Sequence, residues 1–557
     1  MPTPLAVLDA AAVRAWFEHA LRSLLLVRHS VDRLNVFPVP DADTGTNMVL
    51  TLAGAAEAVR ELPADAELAT LTRTAADGAL LGARGNSGVI LGQCLQALAE
   101  AFTGADTAGA DVVARALDGA ARQARAAVGH PVEGTVLTVA RAAADGATKA
   151  ADAALGTANG ELLGTVEASL GAARNALAAT RGAHGVAVDA GAAGYVVLLG
   201  ALRDVVAGEA DSGARRATAA LLADIDGGGT SPAVPGLTIT AGPVPSALPS
   251  GTPGPTDPAD HDDAAGDFEV MYVLRADAAR AATLRAELVR TAHSVAVVGW
   301  SDETGAGLWQ VHVHTDAPLA ALAEPALVEQ VCVRYLRPLL TDPHPPGERG
   351  PDHVEPVTRP RLSGTGVVAC TKAPGLVEPL ARTGAVVVLS PGEDPAGILR
   401  AAADTGASEV LVLPCDDAVA ATVQAAATAA AAGRGAPHLG RQVLRGAGTR
   451  SDVQVLAAAV EIGLGAGRQG HPPAALAEQA VRRTRTAEVD DVDGTLASAV
   501  AALVAPSDEL VTALLGADAD DDVAELVREL VAQAAPEAEV VIVRGGQAAP
   551  TLQLGVE

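Results

Sequence analysis

From Ala11 to about Ala154, apolar residues recur three or four positions apart with polar residues between them. Ala11–Val31, Thr51–Glu61, Gly88–Phe102, Asp111–Val128 and Thr135–Ala154 each carry this period, the mark of amphipathic helices. Helix breakers fall between them: Pro38 and Pro40, Gly82 and Gly85, Gly129 and Pro131. Strand-like alternation is nearly absent before residue 205. Residues 1–205 are therefore expected to form an all-helical domain with functional loops at helix ends.

The pattern then lapses. Residues 206–267 read as a partly disordered linker, with Gly227-Gly228-Gly229 and the run Ser250-Gly251-Thr252-Pro253-Gly254-Pro255. Order returns at Phe268–Leu274, a strand. A helix over Ala278–Ala292 follows, with Asp277 placed to cap it, then strands over Ser294–Val298 and Leu308–His314. Residues 268–340 thus predict a small α+β domain. Residues 341–362 form a second linker, holding Pro343, Pro345, Pro346, Pro351, Pro356 and Pro360. Over 363–557, short apolar runs (Gly366–Cys370, Gly384–Leu389, Glu409–Pro414) alternate with helical stretches, the pattern of a parallel α/β sheet. The tail adds a helix over Asp522–Ala534 and a strand over Glu539–Val543. The fold class is multidomain: an all-α N-terminal domain, a small α+β middle domain and an α/β C-terminal domain. A length of 557 residues suits three or four such units.

Hydrophobic residues make up 49 % of the chain but aromatic ones only 2 %, so the helices are expected to pack closely around thin cores. The net charge of −28 argues against a nucleic-acid partner, which would need basic surface to displace counterions. It does not oppose a nucleotide held through Mg²⁺ and local N–H groups. Cys94, Cys332, Cys370 and Cys415 form no Cys-x-x-Cys pair and no disulfide framework, as expected of a reducing cytoplasm. No basic, then apolar, leader opens the chain, and no run reaches the roughly 18–20 apolar residues of a transmembrane segment. A cytoplasmic location is expected.

The densest chemistry lies in Asn35-Val36-Phe37-Pro38-Val39-Pro40-Asp41-Ala42-Asp43-Thr44-Gly45-Thr46-Asn47-Met48. Two carboxylates sit one residue apart on a turn held by prolines. Hard cations such as Mg²⁺ take oxygen ligands, commonly one or two carboxylates plus substrate phosphates. Thr44, Gly45, Thr46 and Asn47 can offer backbone N–H groups and small polar side chains to those phosphates. An isolated Asp-x-Asp would be an ordinary surface turn; the later motifs tip the reading toward a metal–nucleotide site. Gly82-Ala83-Arg84-Gly85-Asn86-Ser87-Gly88 leads into a helix, an arrangement that favours an anion. Its glycines permit close backbone approach. Pro131-Val132-Glu133-Gly134-Thr135 also opens a helix and, taken alone, reads as a cap. Asp189, in Val188-Asp189-Ala190-Gly191, could cap the next helix or face a ligand.

In this order and spacing the four segments resemble the nucleotide-binding, DhaL-type domain of the dihydroxyacetone kinase family. The likeness is to the branch that holds the ATP-binding subunit of bacterial fatty acid kinase. His312-Val313-His314-Thr315-Asp316 supports the resemblance, which spans essentially all of the chain and weakens in its last third. The resemblance implies an eight-helix barrel with ATP and two Mg²⁺ at one end. By it, Asp41 and Asp43 hold the metals and are the catalytic pair. Thr44, Gly45, Thr46 and Asn47 contact phosphates, Asn86, Ser87 and Gly88 belong to the phosphate loop, and Gly134, Thr135 and Asp189 lie beside the nucleotide. The family's third carboxylate falls at Val36 here, leaving Asn35 as the substitute Mg²⁺ ligand, and Ala42 replaces a usual glycine. Related kinases carry a Cys and two His resembling a zinc site; Glu269 stands where that Cys would be, so Glu269, His312 and His314 are the candidate zinc ligands. His₂Glu ligation is acceptable to zinc, although two same-face strand histidines can also be plain core residues.

The C-terminal domain departs from the family. Ser390-Pro391-Gly392-Glu393-Asp394-Pro395 and Leu413-Pro414-Cys415-Asp416 replace its usual polar signatures, and partner docking is the role left to that domain. The expected function is Mg²⁺- and ATP-dependent phosphorylation of a fatty acid carboxylate, presented by a separate fatty-acid-binding (DegV-type) partner, to give acyl phosphate. Alternatives are a dihydroxyacetone-type kinase acting on a small polyol and a non-catalytic nucleotide-sensing scaffold. A homodimer is compatible with either.

Overall fold

The computed structural model describes residues 3–35, 42–129, 131–154, 162–181, 188–210, 266–302, 304–337, 364–433, 442–465 and 472–557. Asp41 and most of both expected linkers lie outside the described residues.

Eight helices build the N-terminal region: α1 (Ala10–Leu34), α2 (Thr44–Arg60), α3 (Leu68–Gly82), α4 (Gly85–Ala101), α5 (Ala110–Ala127), α6 (Val136–Ala154), α7 (Leu162–Ala179) and α8 (Ala190–Val206). The first shows why. Asp9 caps it, accepting from the Ala12 N–H at 2.8 Å. Val13, Trp16, Phe17, Ala20, Leu24, Val27 and Val31 then recur at helical spacing and are all buried. Each helix packs on the next, and α8 packs back on α1, so the ring closes. At that seam the Trp16 indole N–H donates to the Leu198 carbonyl (3.1 Å) and His19 meets Asp204 at 3.2 Å, both inside the core. Alanines such as Ala75, Ala76 and Ala79 line much of the interior. The thin core expected from composition is what lets eight helices close a tight ring.

Consecutive helices run up and down, so their connections alternate between the two ends. The links α1–α2, α3–α4, α5–α6 and α7–α8 share one end, and they are the four segments singled out in the sequence. The far end holds the N-terminal segment, where the Leu5 N–H donates to Val206 O (2.8 Å) and Leu8 pairs with Ala108.

Next come β1 (Phe268–Arg275), α9 (Ala278–Thr291), β2 (Ser294–Ser301), β3 (Gly307–Thr315) and β4 (Val328–Tyr335). These strands are antiparallel. Then β5 (Thr365–Thr371), α10 (Val377–Arg382), β6 (Val386–Leu389), α11 (Ala396–Asp404), β7 (Glu409–Leu413), α12 (Asp417–Ala431), β8 (Val443–Gly446) and α13 (Asp452–Gly465) form a parallel α/β set. The two sets are one sheet. β4 pairs antiparallel with β6, giving the order β2-β3-β1-β4-β6-β5-β7-β8. The sequence reading omits β4, because Glu329 and Arg334 interrupt its apolar run, and it treats the two sheets apart. After α14 (Pro473–Arg483), strands β9 (Arg485–Val489), β10 (Leu510–Leu515), β11 (Glu539–Arg544) and β12 (Leu552–Val556) make a second sheet, order β11-β10-β12-β9, with its own core. Helices α15 (Val492–Leu503) and α16 (Asp521–Ala534) belong to it.

The large sheet covers the motif-bearing end of the ring. Gly129 N–H donates to Val295 O (3.0 Å), Val128 bridges Ala296, and the Trp300 indole N–H donates to Asp77 (2.8 Å). Leu80, Ala83, Val89 and Ala127 of the ring meet Ala296 and Val298 of β2 in a shared apolar seam. No described helix is long and apolar enough to cross a membrane.

Candidate functional site

Asp43 immediately precedes α2 and is 7 % exposed. Its Oδ1 accepts from the Asn47 side-chain amide at 2.8 Å. Its Oδ2 faces Arg334 of β4, 3.4 Å from both terminal guanidinium nitrogens. Arg334 also pairs with Glu269 Oε2 at 2.7 Å. The Thr44 hydroxyl lies 3.4 Å from that of Ser87, which joins the first motif to the second. Ala42 has φ 53°, a left-handed backbone that costs a residue with a Cβ. This is the physical reason a glycine would suit the position.

Asp32 is a carboxylate that the sequence reading missed. It sits in the last turns of α1, where its Oδ1 accepts from the Thr46 N–H (2.8 Å) and its Oδ2 from the Thr46 hydroxyl (2.9 Å). Burial raises its pKa, the Thr46 bonds oppose that, and the charge of Asp43 adds to the rise. Asn35 closes α1 with its N–H donating to Asp32 O at 3.1 Å, and it is buried. Thr46, expected on phosphates, gives both its N–H and its hydroxyl to Asp32 in this structure. Gly45 faces the Arg28 carbonyl. Only the inward position of Asp32 on an amphipathic helix could have flagged it.

In the second motif, Arg84 precedes α4 and its side chain does not cap that helix, whose first N–H groups have no partner within the helix itself. Gly85 has φ 54°, and a Cβ there would overlap the Asn47 amide; a Cβ on Gly88 would overlap the Thr51 hydroxyl. The close approach these glycines allow is therefore first of all that of α4 to α2. The Asn86 amide donates to the Ser294 hydroxyl of β2 at 2.9 Å. Arg84 forms a buried ion pair with Asp404 at the end of α11 (2.7 Å). Nearby, Arg400 donates to Gln310 Oε1 (3.0 Å) and to the Leu81 carbonyl. The glycine loop is thus braced by the sheet and by α11.

The third and fourth motifs meet at the same end, where Gly191 lies against Val136. Gly134 has φ 78°, and its N–H donates to the Thr138 hydroxyl (2.9 Å). The Thr135 hydroxyl donates to Val132 O (2.8 Å). Bonds from Thr138 and Arg125 hold the Glu133 pKa below its usual range. Asp189 caps α8, accepting from the Ala192 N–H at 2.7 Å.

Glu269, His312 and His314 do converge on adjacent strands β1 and β3, all buried, as a group able to hold a metal ion. Glu269 Oε1 lies 3.6 Å from His312 Nδ1 and 4.0 Å from His314 Nε2, while the two Nε2 atoms are 3.1 Å apart. Burial pushes both imidazoles down to about 3, helped for His312 by the Arg334 charge and for His314 by its neighbour. Both Nδ1 atoms are buried without a hydrogen-bond partner. Neutral rings with spare nitrogens beside a carboxylate fit a metal better than they fit a plain core. The group touches the first motif through Arg334.

Comparison with known families matches this layout. A DAK2 domain model matches residues 38–204, a FakA-like (fatty acid kinase) middle-domain model matches 265–329, and the corresponding FakA-like C-terminal model matches 476–557. The chain is built from a DAK2 domain followed by FakA-like middle and C-terminal domains. Among curated relatives, an uncharacterized protein of Staphylococcus saprophyticus is 46 % identical over 122 residues, 22 % of each chain. An uncharacterized protein of Staphylococcus aureus is 43 % identical over 122 residues, again 22 % of each. The chain thus spans about a fifth of the length of the curated relatives it matches. The DAK2 match contains the second, third and fourth motif segments and the first from Pro38 onward, leaving Asn35 outside, and the FakA-like middle match contains Glu269, His312 and His314 but stops short of Arg334.

Proposed function

We propose that this chain is the nucleotide-binding subunit of a fatty acid kinase, transferring a phosphoryl group from ATP to a fatty acid carboxylate held by a separate fatty-acid-binding protein of the DegV type. The observation that carries the reading is positional. Four motif-bearing connections of a DAK2 ring share one end, and a sheet begun by the FakA-like middle domain covers that end and reaches Asp43.

The donor set suits the implied groups. Asp43 Oδ2 is a largely buried carboxylate oxygen turned toward the sheet, and with Glu269 beside it the two carboxylates outweigh the single Arg334 charge, so the place suits a cation. Asp43, Asp41 and Asn35 would supply oxygen ligands to Mg²⁺, and the N–H groups opening α2 and α4 would orient phosphates. Bound Mg²⁺ would neutralise charge on the phosphates, the main requirement of phosphoryl transfer. The acceptor carboxylate is already ionised at neutral pH, so no general base is required. Glu269, His312 and His314 would hold zinc beside this site.

The test combines the purified chain, Mg-ATP and a fatty-acid-loaded binding protein, with hydroxylamine to trap acyl phosphate as the hydroxamate. Product should require all three components and vanish in Asp41→Ala/Asp43→Ala. Rapid phosphorylation of dihydroxyacetone by the chain alone would favour a polyol kinase. Mg-ATP binding without turnover on any acyl-loaded partner would favour a scaffold.

A further inference from the structure

Arg334 has no place in any motif, yet it is the residue that joins the sheet to the first metal-binding segment. We propose that Arg334 is a phosphate-contacting residue supplied from the sheet, which binds the terminal phosphoryl group of the nucleotide while Glu269 holds its guanidinium in position. The inference rests on the nucleotide-site reading above.

Three observations carry it. The guanidinium is seated unequally, at 2.7 Å from Glu269 Oε2 and 3.4 Å from Asp43 Oδ2. The first is a charge-assisted bond, and the second is longer than such bonds run. Glu269 is therefore the anchor, and the Asp43 contact is the one that can be exchanged. Second, Asp43 meets Asn47 through Oδ1 and Arg334 through Oδ2, so Oδ2 is the oxygen turned toward the sheet. A phosphate oxygen bound beside Oδ2 would come next to a guanidinium that already lies 3.4 Å from that oxygen. Third, the fork comes from the sheet side rather than from the ring. In the nucleotide-site reading the N–H groups opening the helices would hold the inner phosphates, leaving the terminal group on the sheet side. A planar fork of N–H donors on a paired strand suits bidentate phosphate binding. Its strand β4 is hydrogen-bonded on both sides, to β1 and β6, so it is presented rigidly.

The test uses the full chain by calorimetry with saturating Mg²⁺, titrated with ADP and with a non-hydrolysable methylene analogue of ATP. Wild type, Arg334→Gln and Arg334→Lys are compared, with circular dichroism confirming that each is folded. Arg334→Gln should lose about tenfold or more in affinity for the triphosphate analogue, the worth of one charge-assisted contact. Its ADP affinity should stay within about twofold, and Arg334→Lys should fall between. Glu269→Gln, which frees the guanidinium from its anchor, should reproduce the triphosphate defect in weaker form. Equal losses for both nucleotides, or none, in a folded Arg334→Gln would overturn the inference and leave the arginine a strut between domains. Wild type binding neither nucleotide would overturn the nucleotide-site reading and this inference together.

Discussion

Nε of Arg84 lies 2.7 Å from Oδ1 of Asp404, with both side chains at or below a tenth exposed. The loop that opens α4 is therefore ionically tied to the end of α11, in a different layer of the molecule. Removing one member of a buried pair strands the other charge, at a cost of about 3–5 kcal/mol. Arg84→Ala and Asp404→Ala should each destabilise by that order, and the double variant by clearly less than the sum. Urea unfolding of the four proteins measures the coupling; strictly additive losses would show that the pair carries no interaction.

Gly88→Ala should force α4 away from α2, because the new methyl would overlap the Thr51 hydroxyl. Overpacking of this kind costs about 1–3 kcal/mol. Adding Thr51→Ala removes the obstructing oxygen and should recover most of the loss in melting temperature. An unchanged Tm in the single variant would mean the helices have slack at this contact.

Ala42→Gly should stabilise the chain. The left-handed φ of 53° disfavours alanine, by about 1–2 kcal/mol, while glycine's extra freedom when unfolded takes back about 0.5–1 kcal/mol. A net gain of several tenths to about 1 kcal/mol is expected in thermal unfolding. A loss would indicate that the backbone at this turn differs from the left-handed form.

Asp452 gives a pH prediction. It is buried at the start of α13, where its Oδ1 accepts from the Thr371 hydroxyl (2.5 Å) and the Lys372 N–H (3.2 Å). Burial raises its pKa to about 6 from 3.8. A raised folded-state pKa contributes stability that is complete below the unfolded value and is lost as pH climbs through about 6. The complete loss is about 3 kcal/mol for a shift of this size, most of it falling between pH 4 and 7. Asp452→Asn keeps an acceptor oxygen and carries no charge, so its stability advantage should be larger at pH 8 than at pH 4.5. A pH-independent difference between the two proteins would count against a buried titrating carboxyl.

Much of this was legible in the sequence, and the reasons are local. The α1, α4, α5 and α6 helices announce themselves by period, and Asp277 and Asp189 by their capping position. What escaped depends on contacts between distant segments. Asp32 escaped because nothing local shows that its carboxylate receives the Thr46 N–H and hydroxyl from the next helix. Strand β4 was unreadable because Glu329 and Arg334 break its alternation, and Arg334 gains meaning only when β1 and the start of α2 arrive beside it. The union of the two sheets through β4 and β6 leaves no trace in either strand.

Zinc content tests the cluster on β1 and β3. Purified chain should carry about one zinc per molecule, the yield of one His₂Glu site. His312→Ala and His314→Ala should each abolish it, and chelation should lower the Tm of wild type but not of the variants. Wild-type chain purified with zinc present and found free of it would reassign these histidines to the core.

Val333 is in register with Val387 of β6, one residue before Arg334. No hinge separates the parallel strands from the arginine; the peptide next to it is stitched to their edge. The arginine and the parallel strands thus share one hydrogen-bonded edge, so the guanidinium keeps its place relative to those strands without a tether between them.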